Sequence, residues 1–132
     1  NQAVVVINIY IENSCENERI KIGQFKGDGL LISTPLGSFC KSMSFNGALM
    51  SRTMENITIT PICPLSMKFR PLCLPASTTI FLEIDKSSRS ESVDMFVDEN
   101  SQQWQLKKDQ LLRIRMSKFK TRVISNLVET SE

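Results

Sequence analysis

Short runs of apolar and β-branched residues recur along the chain, and several of them alternate with polar residues. Runs of this kind predict β-strands. The predicted strands cover residues 4–11, 20–25, 30–33, 56–60, 78–84, 92–97 and 110–119. Residues that favour turns separate them, for example at 71–77 and 85–88. The pattern therefore predicts an all-β fold, a β-sandwich of two packed sheets.

One short helix is predicted over residues 39–51, after the strand at 30–33. The turn between them contains Pro35, which fixes φ, Gly37, which can adopt positive φ, and Ser38, which can cap a helix. A helix that begins after such a turn points unpaired N–H groups at its surroundings, which suits a phosphate or a ribose oxygen. An ordinary strand-to-helix turn needs the same residues, so the spacing alone leaves both interpretations open.

The length and charge of the chain restrict its class. With 132 residues, 41% of them hydrophobic, it suits one domain over residues 1–132. The net charge of +2 gives no reason to expect a nucleic acid or an anionic membrane surface as partner. The first apolar run is also far shorter than the roughly 18 residues of a membrane-spanning helix. We therefore expect neither nucleic acid nor a membrane as a partner.

The start of the chain and its cysteines bear on size and location. The sequence opens on Asn1 and enters its first strand at once, so we expect a fragment of a larger protein. Its four cysteines form no Cys-x-x-Cys pair, and it contains no histidine. This set predicts no metal site within the chain. Reduced thiols in a cytoplasmic protein are the default interpretation.

Two long motifs carry a specific resemblance. The first begins with Gly27-Asp28-Gly29 and continues to Ser38. The second covers residues 60–75 and reads Thr-Pro-Ile-Cys-Pro, then Phe-Arg-Pro-Leu. Together they resemble the C-terminal domain of NAD kinases, and a weaker third motif at 94–98 lies where that family has an aromatic-Asp-Gly strand end. The resemblance covers roughly residues 5–115.

The resemblance implies transfer of a phosphoryl group from ATP, or from a related donor, to the 2′-hydroxyl of the adenosine ribose of NAD, which gives NADP. Members of the family have a second, N-terminal α/β domain with a Gly-Gly-Asp-Gly motif. That domain would supply the ATP site, the divalent metal and the catalytic base. This chain would be the dinucleotide-binding half, with no catalytic residue and no activity of its own. The resemblance also implies a homo-oligomer, because β domains of this family commonly form the subunit interface.

Candidate dinucleotide contacts follow from the resemblance, position by position. They are Lys26, Asp28, Phe39, Cys40, Lys41 and Ser44. Asp28 is the family's acidic contact, and its carboxylate can accept hydrogen bonds from a ribose diol or an amide. The alternative for Asp28 is a turn residue that caps its own backbone. Ser44 can bond either to the ligand or to a helix carbonyl.

The first motif departs from the family on its ligand side. Leu36, Phe39, Cys40 and Lys41 stand where the family has Thr, Thr, Ala and Tyr. A tyrosine would stack on the dinucleotide, whereas Lys41 offers a cation that can meet a pyrophosphate. Leu65 likewise replaces a common histidine. These changes favour a second hypothesis, a non-catalytic family member that serves as an interaction or oligomerisation module. The β domain of a related lipid kinase is a third hypothesis.

Two further patterns have simpler explanations. Residues 38–41 match the Ser-x-x-Lys of penicillin-binding enzymes, but the other motifs of that chemistry are absent from the sequence. A basic segment at 107–122 is a candidate nucleic-acid surface, but its apolar residues Leu112, Ile114 and Met116 alternate with basic ones. That alternation is typical of a strand with one buried and one solvated face.

Overall fold

The computed structural model of the chain describes residues 4–12, 17–35, 54–66, 68–98 and 103–119. All regular secondary structure in these ranges is β-strand. The strands are β1 (Val5–Glu12), β2 (Arg19–Gly27), β3 (Gly29–Ser33), β4 (Asn56–Ile62), β5 (Leu72–Pro75), β6 (Thr79–Ile84), β7 (Ser92–Met95), β8 (Trp104–Lys107) and β9 (Leu112–Ile114). The all-β prediction is confirmed, and the helix predicted at 39–51 lies outside the described residues.

The strands form three antiparallel sheets. A four-stranded sheet has the order β2-β1-β6-β9, a three-stranded sheet has the order β3-β4-β5, and β7 pairs with β8 in a hairpin. The hairpin is an addition to the two predicted sheets. β2 and β3 follow each other directly in sequence but belong to different sheets. The chain therefore crosses from one sheet to the other at the end of β2.

The hydrophobic core joins the two larger sheets. It is one cluster built from Val5, Ile7, Ile9, Phe25, Ile57, Ile59, Ile80 and Leu82. These residues come from β1, β2, β4 and β6, and most are β-branched residues or phenylalanine, which suit a packed sheet face. Their burial supplies the main driving force for folding, about 25 cal/mol for each Å² of apolar surface removed from water. The core thus holds the two sheets face to face.

Two strands were not predicted. Residues 72–75, assigned to a turn, form β5, and the polar stretch around Trp104 forms β8. Pro75 is tolerated because β5 is an edge strand, where one row of N–H groups has no ladder partner. The last strand is also shorter than predicted, yet the predicted alternation is confirmed. Leu112, Ile114 and Met116 pack on the core, while the basic residues between them are exposed.

Two of the four cysteines lie within the described residues. Cys63 and Cys73 are exposed free thiols, and Cys15 and Cys40 lie outside the described residues. No helix in the described part of the chain is long and apolar enough to cross a lipid bilayer.

Candidate functional site

Asp28 lies at the point where the chain changes sheets. β2 ends at Gly27 and β3 begins at Gly29, so Asp28 is the single residue between a strand of the four-stranded sheet and a strand of the three-stranded sheet. A shift of either sheet at this point would move Asp28. The position of its side chain therefore depends on how the two sheets are joined.

The second sequence motif packs against this crossing. The Asp28 backbone N–H donates to the carbonyl of Ile62 at 3.1 Å, and the Leu65 N–H donates to the carbonyl of Lys26 at 2.9 Å. Gly29 also faces Ile62 in the ladder between β3 and β4. Residues 26–29 and 62–65 thus form one unit, which we call the corner. The sequence of the two motifs did not predict that they bond to each other.

Gly27 allows the two halves of the corner to meet. A Cβ atom on Gly27 would stand 2.6 Å from the carbonyl oxygen of Cys63 and 2.6 Å from the ring carbon Cζ of Phe25. It would also lie 3.0 Å from Cα of Pro64. Cys63 itself has a φ of 46°, a left-handed conformation that is uncommon for a residue with a side chain. Only glycine fits at position 27 without displacing backbone.

The side chains of Lys26 and Asp28 are both exposed at the corner. No described residue donates a hydrogen bond to the Asp28 carboxylate, and within the described part of the chain Asp28 bonds only through its backbone N–H. The turn-capping alternative for Asp28 is therefore not observed. Lys26 uses its carbonyl in the corner, while its ammonium group stays on the surface. The corner thus presents a carboxylate and an ammonium group to solvent.

The other four predicted contacts are Phe39, Cys40, Lys41 and Ser44, and all of them lie outside the described residues. Their role as dinucleotide contacts stays a prediction, and so does the helix at 39–51 that contains them. The structure brings together two predicted site residues, Lys26 and Asp28, with the backbone of the second motif.

A second polar cluster, which sequence analysis missed, lies on the outer face of the four-stranded sheet. The Asn8 amide donates to Glu83 at 3.3 Å and to Asp85 at 2.9 Å, and its oxygen accepts from Gln24 at 2.9 Å. The Tyr10 hydroxyl donates to Glu83 at 2.7 Å. A cleft above these residues is also lined by Arg19, Lys21, Lys86 and Asp109. The one sequence signal was Asn8 in the middle of an apolar strand.

Hydrogen bonds in this cluster shift two ionisation equilibria. The bond to the Glu83 carboxylate, with burial as the smaller cause, raises the pKa of Tyr10 above 10.0. The Ser87 hydroxyl, then the Asn8 amide and the Ser87 N–H, all donate to Asp85 and hold the pKa of that carboxyl well below 3.8. Because these polar side chains bond to one another across neighbouring strands, the cluster stabilises the sheet.

Comparisons with known proteins place these features in a family. Fold and site together define a β-sandwich domain with an exposed acidic corner between its sheets. The family described as the ATP-NAD kinase C-terminal domain matches residues 4–126 of the chain. The chain belongs to this family.

Relatives and solved structures agree with the family match. The NAD kinase of Geobacter sulfurreducens is 34% identical over 115 residues, which are 86% of this chain and 39% of that protein. NAD kinase 1 of Gloeobacter violaceus is 52% identical over 59 residues, 45% of this chain and 19% of that protein. The chain thus spans less than half the length of these relatives.

Two solved structures share the fold. Yeast NADH kinase complexed with NADH superposes with a TM-score of 0.60 at 31% identity, covering 71% of this chain and 24% of that one. An NAD kinase from Archaeoglobus fulgidus in complex with ATP has a TM-score of 0.69 over 89% of this chain and 41% of its own. Its identity of 16% makes it similar in fold alone.

Proposed function

We propose that this chain is the NAD-binding part of an NAD kinase, an enzyme that transfers a phosphoryl group from ATP to the adenosine ribose 2′-hydroxyl of NAD. The observation that carries the proposal is the exposed carboxylate of Asp28, which accepts no hydrogen bond from a described residue and lies at a corner built from both family motifs. The yeast NADH kinase, similar in fold and sequence, was crystallised with NADH. A dinucleotide is therefore the ligand that the corner suits best.

Asp28 and Lys26 would divide the recognition of the dinucleotide. The Asp28 carboxylate accepts hydrogen bonds from ribose hydroxyls or from the carboxamide N–H groups of the ligand. Charge-assisted bonds of this kind contribute about 1.5 to 3 kcal/mol each. The exposed Lys26 ammonium carries the charge that attracts a pyrophosphate. Lys41, Phe39, Cys40 and Ser44 would complete the site from the predicted helix.

A second domain would supply the chemistry of phosphoryl transfer. Positioning, a metal and charge stabilisation dominate this reaction, and we assign ATP, the divalent metal and the catalytic base to an N-terminal α/β domain. The strand register supports such an arrangement, because Val5 at the start of β1 pairs with Gly27. Any segment that precedes β1 would therefore enter the fold beside the corner. In this proposal the 132-residue chain alone is inactive, and the whole enzyme is a cytoplasmic homo-oligomer.

The second candidate function is a non-catalytic interaction or oligomerisation module. The residues at 36, 39, 40 and 41 favour it, because they replace the family's ligand-side loop, including its stacking tyrosine. The two candidates differ in one property, the binding of NAD by the corner.

Calorimetric titration of NAD and NADP into the chain tests the proposal, with adenosine monophosphate as the matched control ligand. The proposal expects saturable binding of both dinucleotides and weaker binding of the monophosphate, which lacks the second phosphate, the second ribose and the nicotinamide. An absence of binding at millimolar dinucleotide would contradict it and leave the interaction module. Light scattering of the same samples measures the oligomeric state separately.

A further inference from the structure

The second motif touches the first through its backbone. Both hydrogen bonds that close the corner join main-chain groups, from Asp28 to Ile62 and from Leu65 to Lys26. No described side chain of residues 62–66 is bonded to the Asp28 carboxylate. The second motif therefore acts on Asp28 through the backbone and not by bonding to its side chain.

One aromatic residue of the second motif fixes β2 from its inner face. The Phe69 ring packs edge-on against Phe25, with ring centroids 5.7 Å apart and planes at 72°. A Cβ on Gly23 would stand 3.6 Å from the Phe69 ring, so that ring also lies over Gly23. Phe25 is fully buried, and its ring in turn reaches the space beside Gly27. A continuous line of contacts thus runs from Phe69 through Phe25 to the corner.

The backbone of the second motif closes the other side. The carbonyl oxygen of Cys63 and Cα of Pro64 approach Gly27 so closely that no side chain fits there. Residue 27 is therefore held between the Phe25 ring and the 63–64 backbone. Asp28 is the next residue, so its backbone cannot move without breaking one of these contacts.

We propose that Gly27 and Phe69 are positioning residues that hold Asp28 in its ligand-binding place, and that the second motif is a brace for the first. The ligand part of this inference rests on the proposed function. Displacing a binding group by about 1 Å is enough to lose much of its contribution. Gly27→Ala must displace backbone, and Phe69→Leu removes the ring that locks Phe25.

The test combines amide hydrogen exchange with NAD titration, on the full chain. In Gly27→Ala and Phe69→Leu, the Asp28 and Leu65 amides should exchange about tenfold faster relative to the Ile59 amide in the central strand β4. NAD affinity should fall on the order of tenfold, as expected for a lost charge-assisted bond. Phe69→Tyr keeps the ring and should retain both properties. Leu106→Ala, a buried change in β8, controls for loss of stability alone.

The outcomes distinguish the positioning of Asp28 by the second motif from the proposed binding of NAD. If the Asp28 and Leu65 amides of Gly27→Ala exchange at the wild-type rate relative to Ile59, the second motif does not hold Asp28 in place, whatever the ligand is. If these amides exchange faster in the variants while the NAD affinity is unchanged, the contacts of the second motif have no role in NAD binding. A loss of NAD affinity in Leu106→Ala equal to that in Gly27→Ala overturns that role too, because stability alone then explains the effect. A wild-type chain that binds no NAD overturns the proposed function, while the exchange rates still decide whether the brace exists.

Discussion

The side-chain amide of Asn8 donates to the carboxylate of Asp85 at 2.9 Å, from one strand of the four-stranded sheet to the residue that follows its neighbouring strand. Asn8 is buried in the middle of an apolar strand, where an amide without partners would cost free energy. Its bonds to Glu83, Asp85 and Gln24 satisfy both ends of the amide. Asn56 is equally buried, but neither its side-chain nitrogen nor its side-chain oxygen has a hydrogen-bond partner among the residues that the structure describes.

The two asparagines should therefore respond to alanine in opposite directions. Asn8→Ala removes the hydrogen bonds that the amide donates to the half-buried carboxylates of Glu83 and Asp85, and it should lower the free energy of unfolding by about 2 kcal/mol. Asn56→Ala removes an unsatisfied amide and should raise it by about 1 kcal/mol. Urea denaturation of both variants measures the difference. A loss of stability in Asn56→Ala as large as that in Asn8→Ala would contradict this account of position 56.

The lowered pKa of Asp85 predicts a specific loss of stability in acid. The folded pKa lies below the unfolded value, so the stabilisation is fully present above pH 3.8 and is lost as pH falls through the folded pKa. Ser87→Ala removes the largest cause and should raise the pKa of Asp85 towards 3.8. The stability gap between wild type and Ser87→Ala should then be widest near neutral pH and narrow below pH 3.8.

Urea midpoints at several pH values between neutral and strongly acidic conditions measure this gap. Ser77→Ala, an exposed serine in another turn, is the matched control and should show no narrowing. A Ser87→Ala gap that stays constant with pH would mean that Ser87 acts without changing the ionisation of Asp85.

Restoring an aromatic ring at position 41 should strengthen dinucleotide binding. If the ligand lies as the family resemblance implies, Lys41→Tyr gains stacking of about 1 kcal/mol, roughly a fivefold tighter dissociation constant. Lys41→Leu removes the same charge without adding a ring, and it should not gain affinity. Calorimetric titration of NAD compares the two. Equal affinities for the tyrosine and leucine variants would place the ligand away from this residue.

Local patterns predicted much of the sheet framework. The run of β-branched residues in β1 and the alternation around Leu112 both gave strands with the correct buried faces. The strand at 72–75 was missed because Pro71 precedes it and Pro75 is its last residue, although Leu72 and Leu74 alternate with an exposed Cys73 and pack on the core. An edge strand tolerates such a proline, and edge position is a tertiary property that local pattern does not contain.

The candidate site was predictable only in part. Asp28 was predicted as a site residue from its motif, but its place at the corner depends on contacts between residues distant in sequence. The bond from Leu65 to Lys26 and the close approach of Cys63 to Gly27 depend on two sheets packing together. The Asn8 cluster is a similar case, since its partners Glu83 and Asp85 come from β6 and the turn after it.

The proposed function requires the Asp28 carboxylate to bind NAD. Calorimetric titration of NAD into wild type, Asp28→Ala and Asp109→Ala measures the contribution of this carboxylate. Asp109 is an exposed aspartate in the turn between β8 and β9, so its variant makes the same change in charge away from the corner. We predict that Asp28→Ala weakens binding at least about tenfold, the equivalent of a lost charge-assisted hydrogen bond, and that Asp109→Ala binds like wild type. Equal affinity in all three proteins would contradict the account.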